Sequence, residues 1–217
     1  MMSEINAKPR SVQRKTIVSL LTGGIAGGLA SFAALSLIGS GRLGELGTSR
    51  EIAIMVAVVY LVSALAVAFG AVSPKLGARF LNVEDAEELR EQKGKLVGSA
   101  AATASIGVAL VIVALAAPIG PLAESVALAL FLGLFALAWY LGARQQRESD
   151  EFMRQLSRDA GAAAFYLLAL IGGGWALIAH LGFVSAPLPL DWLSLFAGLL
   201  LIATLAACMQ RGLMTPR

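Results

Sequence analysis

The sequence predicts an all-α, polytopic membrane bundle of six transmembrane helices, arranged as three hairpins in a single domain over residues 1–217. Composition is the first observation behind it: 14% of the residues are charged and 58% apolar, with a mean hydropathy of +0.78, against about 25% and 45–50% in soluble domains. The second is that the apolar residues fall into six runs, each near the roughly 20 residues that cross a bilayer. The third is that the basic residues cluster between the runs. Helix follows because lipid offers no partner to backbone N–H and C=O groups, so an open sheet would leave its edges unsatisfied. The alternating ten-residue segments of an outer-membrane barrel are not seen.

The first run, residues 17–39, follows Lys8, Arg10, Arg14 and Lys15. A secretory signal has an apolar core of only about 7–15 residues, so this run reads as an uncleaved span, although Ala34 to Ser36 offers the small residues of a cleavage site. A connection carrying Arg42, Glu45, Arg50 and Glu51 leads to the second run, 52–72, closed by Ser73-Pro74 because proline lacks the donor that would continue a helix. Residues 73–97 are charged and precede the third run, 98–117. Pro118 and Pro121 mark a tight turn into the fourth, 122–143. The segment Arg144 to Asp159 holds eight charges. At about 2.5–3.5 kcal/mol for each Asp, Lys or Arg at a helix centre, that segment belongs in water. The fifth run, 160–183, turns at Ser185-Ala186-Pro187-Leu188-Pro189 into the sixth, 190–210.

Orientation follows from the Lys and Arg residues. With a cytoplasmic N-terminus, four lie in the N-terminal tail, five between the second and third spans, four between the fourth and fifth, and two at the C-terminus. That is 15 of 17, leaving Arg42 and Arg50 outside. The positive-inside rule therefore predicts both termini in the cytoplasm. Trp139 and Tyr140 at the inner interface and Trp192 at the outer one read as belt residues.

Two segments resemble each other. Glu87-Glu88-Leu89, Lys95 and Gly98 recur as Asp150-Glu151-Phe152, Arg158 and Gly161 at an offset of 63. The turns Ala117-Pro118-x-x-Pro121-Leu122 and Ala186-Pro187-x-Pro189-Leu190 also match. This fits a parallel internal repeat of the third and fourth spans with the fifth and sixth, about an axis along the membrane normal, or convergence of common lead-ins and turns. Each lead-in reads as an extension of the following helix, with Ser149 as N-cap and Asp150 and Glu151 in the first turn.

Chemistry-bearing residues are sparse. The runs have no internal Asp, Glu, Lys or Arg, since Glu124, Asp159 and Asp191 lie near ends; intramembrane charges mark ion routes, so the pattern argues against a proton-coupled pump. His180 is the sole histidine and Cys208 the sole cysteine. No nucleophile motif, phosphate loop or metal spacing is found, and the expectation is no catalytic residue, no metal, no cofactor and no enzyme. A surface enzyme acting on lipid would have only His180, Glu124 and Asp191 to use on the outer side. Clustered between apolar runs, the basic residues give no reason to expect nucleic acid.

Packing signals are clearer. Gly23, Gly24, Gly27 and Gly28 form overlapping Gly-x-x-x-Gly pairs, and Ser99, Thr103 and Gly107 recur every four residues, so backbones can approach closely at both stripes. Gly172-Gly173-Gly174 fits a close crossing, a kink or a broken helix. Tyr60, Ser63 and Thr204 lie inside spans, where they hydrogen-bond between helices or line a polar cavity; Ser99 and Thr103 are further cavity candidates. Asp150, Glu151, Arg154 and Arg158 form a solvated helix start or a cytoplasmic docking surface.

At Asp150-Glu151-Phe152-Met153-Arg154-Gln155-Leu156, followed by an apolar hairpin ending in Gln210-Arg211, the chain resembles small multi-pass bacterial inner-membrane proteins of uncharacterised role. The likeness covers about the last 70 residues and implies a bacterial cytoplasmic membrane and a helical hairpin, with no site residues to carry over. The functional expectation is a non-enzymatic membrane protein in contact with lipid that packs with itself or a membrane partner through its small-residue faces. The alternative is a small transporter or channel for an uncharged or weakly polar solute.

Overall fold

The structure, a computed structural model, describes residues 46–73 and 91–211, with Ala30, Phe32, Ala33, Ser36 and Glu87 as isolated positions. Most of the first predicted span, its packing candidates Gly23, Gly24, Gly27 and Gly28, and most of the first acidic lead-in lie outside the described residues. Five helices follow in order: α1 (Thr48–Val72), α2 (Lys93–Ala114), α3 (Glu124–Glu148), α4 (Glu151–His180) and α5 (Pro189–Gln210). All five are long and apolar enough to cross a membrane, and no strand occurs among the described residues.

The helices alternate in direction, so the bundle has a proline end and a charged end. At the proline end, the α2–α3 turn closes on its own backbone: Ala117 N–H donates to Leu122 O at 2.7 Å, Leu122 N–H to Leu115 O at 3.1 Å, and Gly120 N–H to Ala116 O at 3.1 Å. Only glycine fits at 120, because a Cβ there would lie 2.0 Å from Leu115 O. The α4–α5 turn opens with Gly182 at φ +82°. Gly182 N–H donates to Ala179 O and Phe183 N–H to Ile178 O, the paired bonds that stop a helix when glycine adopts the left-handed conformation. The fifth predicted run, drawn to Phe183, therefore ends as a helix at His180. Trp175 Nε1 donates to Ser185 O at 2.9 Å and ties the turn to α4.

At the charged end the helices extend past the apolar runs. α2 begins at Lys93 and α4 at Glu151, because water hydrates the first turns. The cap of α4 falls one residue later than the sequence reading placed it: the Asp150 carboxylate accepts from Met153 N–H at 2.8 Å. Ser149 instead donates its hydroxyl to Gln145 O and closes α3. Through Gly172-Gly173-Gly174, α4 runs unbroken.

α1, α2 and α5 pack against one another, α3 packs on α2, and α4 packs on α5. Alanines such as Ala53 and Ala57 of α1, Ala109 of α2 and Ala197 of α5 are buried here, as expected where helices associate in lipid through small residues rather than through a hydrophobic drive. Gly107 permits a close approach of α1 and α2: a Cβ there would meet Leu61 Cγ at 2.9 Å and Ala57 O at 3.0 Å. The two hairpins are not equivalently placed. In α2–α3 the first helix is central, whereas in α4–α5 the second is.

Candidate functional site

Consecutive helices α3 and α4 share no extended interface. α3 buries only Ala127, and α4 only Leu156, Ala160 and Gly172. Since α2 and α5 touch behind them, the two outer helices stand apart over a common floor, and a cleft runs between them.

Its mid-depth chamber measures about 510 Å³. Phe131 and Phe135 of α3 form one wall, Phe165 and Leu168 of α4 the other, and Leu110 with Phe196 belongs to the floor. The rings of Phe131 and Phe135, one turn apart, stack at 6.0 Å between centroids. Tyr60 of α1 reaches this chamber from beneath; it is buried, and its hydroxyl donates to Ala197 O at 2.8 Å. Gly161 contributes a bare patch of α4, where a Cβ would meet nothing within 4 Å.

A second chamber of about 610 Å³ continues toward the charged end and shares Ile106, Phe135 and Leu200 with the first. Its lining changes character. Gln145, Gln146, Ser149 and Ser157 join Trp139 and Met153, and no charged residue lines either chamber. From Phe131 to Gln146 the cleft follows α3 for 15 residues, about 22 Å at 1.5 Å per residue. Both volumes lie in the range of roughly 300–1,000 Å³ in which apolar sites hold single small molecules with a few polar groups for orientation.

Several of the charges around the mouth are engaged with one another. Arg144 pairs with Glu148 at 3.0 Å and Arg154 with Glu151 at 3.7 Å. Lys95 Nζ donates to Glu148 O at 3.2 Å. Arg211 at the end of α5 pairs with Asp159 and stands 5.7 Å from the Phe152 ring centroid, which clamps α5 to α4.

Of the residues proposed from sequence to line a cavity, Tyr60 does so, while Ser63 and Thr204 return their hydroxyls to Val59 O and Leu200 O of their own helices, a common use of hydroxyls in apolar helices. Ser99 and Thr103 are partly buried on α2 and line neither chamber. Gly107, the described end of that small-residue stripe, is spent inside the bundle against α1. Gly172 accommodates Trp192, whose ring carbon would lie 2.7 Å from a Cβ; the ring read as an interfacial belt residue thus rests on α4. Asp150, Glu151, Arg154 and Arg158 sit together at the start of α4. His180 ends α4, Glu124 starts α3, and the Asp191 carboxylate accepts from Leu188 N–H at 2.7 Å; no hydrogen bond joins the three. Among the described residues, no three His, Cys, Asp or Glu side chains are grouped to hold a metal.

The phenylalanine walls and the Gln145-Gln146 pair escaped the sequence reading. Phe131 and Phe135 at four-residue spacing, with two adjacent uncharged amides where that face reaches water, were the available signal. The architecture is that of a helical membrane protein with a lateral cleft. No protein-family model, curated protein or solved structure matches the chain.

Proposed function

We propose that this chain is a non-enzymatic, multi-pass protein of a bacterial cytoplasmic membrane, with both termini in the cytoplasm, whose α3–α4 cleft receives an uncharged or weakly polar membrane-soluble molecule from the bilayer. The carrying observation is the cleft, walled by phenylalanines at mid-depth and by uncharged amides and hydroxyls at the charged end. A surface of this kind is complementary to a molecule that partitions into lipid while keeping one hydrogen-bonding group near water. Inward placement of the charged end rests on the distribution of Lys and Arg.

A second reading is favoured by the sparse burial of α3 and α4. There the same two helices pack against a further copy or another membrane protein, with Asp150, Glu151, Arg154 and Arg158 as the charged rim of the contact. One experiment separates the readings. A photoreactive benzoylphenylalanine replacing Phe165 is irradiated in intact cells and the product is weighed. The cleft reading expects an adduct of lipid mass, whereas an adduct of protein mass alone refutes it and supports assembly.

A further inference from the structure

Resting on the cleft reading above, we infer that the occupant is a single-chain amphipath with an uncharged, hydrogen-bonding head, its tail among Phe131, Phe135 and Phe165 and its head at Gln145, Gln146 and Ser157. Three features select this class. The mid-depth chamber holds about 510 Å³, room for one hydrocarbon chain. Phenylalanine walls give that chain contact without a polar group to satisfy, apart from Tyr60, whose hydroxyl is already donated to Ala197 O.

The head is chosen by electrostatics. Amides of Gln145 and Gln146 each offer donors and an acceptor, and the Ser157 hydroxyl offers both, so a hydroxyl, ester or carbonyl is matched from either side. An ionised head is not. No charged side chain lines the chamber; of its neighbours, Arg144, Arg154 and Arg211 face Glu148, Glu151 and Asp159, and Arg147 and Arg158 stand outside the lining. Bringing a carboxylate or phosphate into the chamber would strip its water with no counter-charge in the lining, a cost that polar pairing alone does not repay. A neutral head leaves all three pairs intact.

Glycines provide a clean test. Gly161 and Gly133 have open space where a Cβ would stand, yet only Gly161 lines the cleft. Phenylalanine at either position removes a helix-weakening glycine, and only Gly161→Phe fills the tail chamber. The full chain, in nanodiscs, is photolabelled with a tail-diazirine monoacylglycerol, the matching fatty acid, or a tail-diazirine phosphatidylglycerol, and labelled peptides are mapped by mass spectrometry. The expected result is labelling of the α3 and α4 walls by the monoacylglycerol, cut about tenfold, equivalent to about 1.4 kcal/mol, by Gly161→Phe and also by Gln145→Leu with Gln146→Leu, but unchanged in Gly133→Phe. Thermal unfolding of each variant shows that it is folded. Equal or stronger wall labelling by the fatty acid or the phosphatidylglycerol overturns the head assignment and leaves the cleft reading standing. Wall labelling by no probe, in a folded protein, overturns both.

Discussion

Arg50 was counted in the sequence as one of two basic residues on the wrong side of the membrane, and its surroundings supply a reason for it. From the first turn of α1 its Nη1 donates to Ala114 O at 2.9 Å and to Ala116 O at 2.6 Å. Ala114 O ends α2, where helix carbonyls lack an intrahelical donor and the helix dipole is negative, and Ala116 O belongs to the turn that follows. One guanidinium thus joins the start of one helix to the finish of the next and supports the proline turn. Hydrogen bonds to a charged group are worth about 1.5–3 kcal/mol, so Arg50→Ala is expected to lower the thermal midpoint in detergent by several degrees. Arg50→Lys, with a compact ammonium in place of the fork, recovers part of that shift. An unchanged midpoint in Arg50→Ala would remove the capping role.

At the scale of elements, helices in lipid are held by how closely their backbones approach. Gly107→Leu drives a side chain into Leu61 and the Ala57 carbonyl; overpacking of this sort costs about 1–3 kcal/mol, and a backbone atom cannot step aside. The expected outcome is a lower thermal midpoint with loosened α1–α2 contact, seen as faster hydrogen exchange in both helices, while Gly133→Leu on α3 leaves exchange unchanged. In the sequence only Gly107 belongs to a stripe of small residues at four-residue spacing. That contrast marks what was legible there. Hydropathy located the five described helices to within a few residues in their lipid-compatible parts, because the penalty for burying charge is steep. Capping chemistry rather than hydropathy marked the start of α4, with Glu151 in its first turn; the start of α2 at Lys93 carries no side-chain cap, and hydropathy overran α4 by three residues because Gly182 rather than polarity ends that helix. Neither chamber was legible: Phe131, Phe165 and Phe196 read as equally apolar whether they face lipid, a neighbour or a gap. Only the pairing of helices separates those cases; the four-residue spacing of Phe131 and Phe135 marks a face without saying what it meets.

For the molecule as a whole, the arrangement is a trio of α1, α2 and α5, with α3 carried on α2 and α4 on α5. The proposed threading makes a direct prediction. A periplasm-active reporter fused after Gly120 is expected to be active and one fused after Gln146 inactive; the reverse pattern would invert the bundle and move the amide mouth to the opposite leaflet. Length adds something further. The 30 residues of α4 span about 45 Å, well beyond a hydrocarbon core of about 30 Å. Its surplus projects at the charged end like a mast, with the amide doorway at its foot. Because mismatch between helix and host is absorbed by tilting or by local stretching of the lipid, a thicker bilayer submerges that doorway and a thinner one lifts it toward water. Under the proposed cleft function, membrane thickness thereby becomes a dial on who can enter, set by the host lipids and requiring no moving part in the protein.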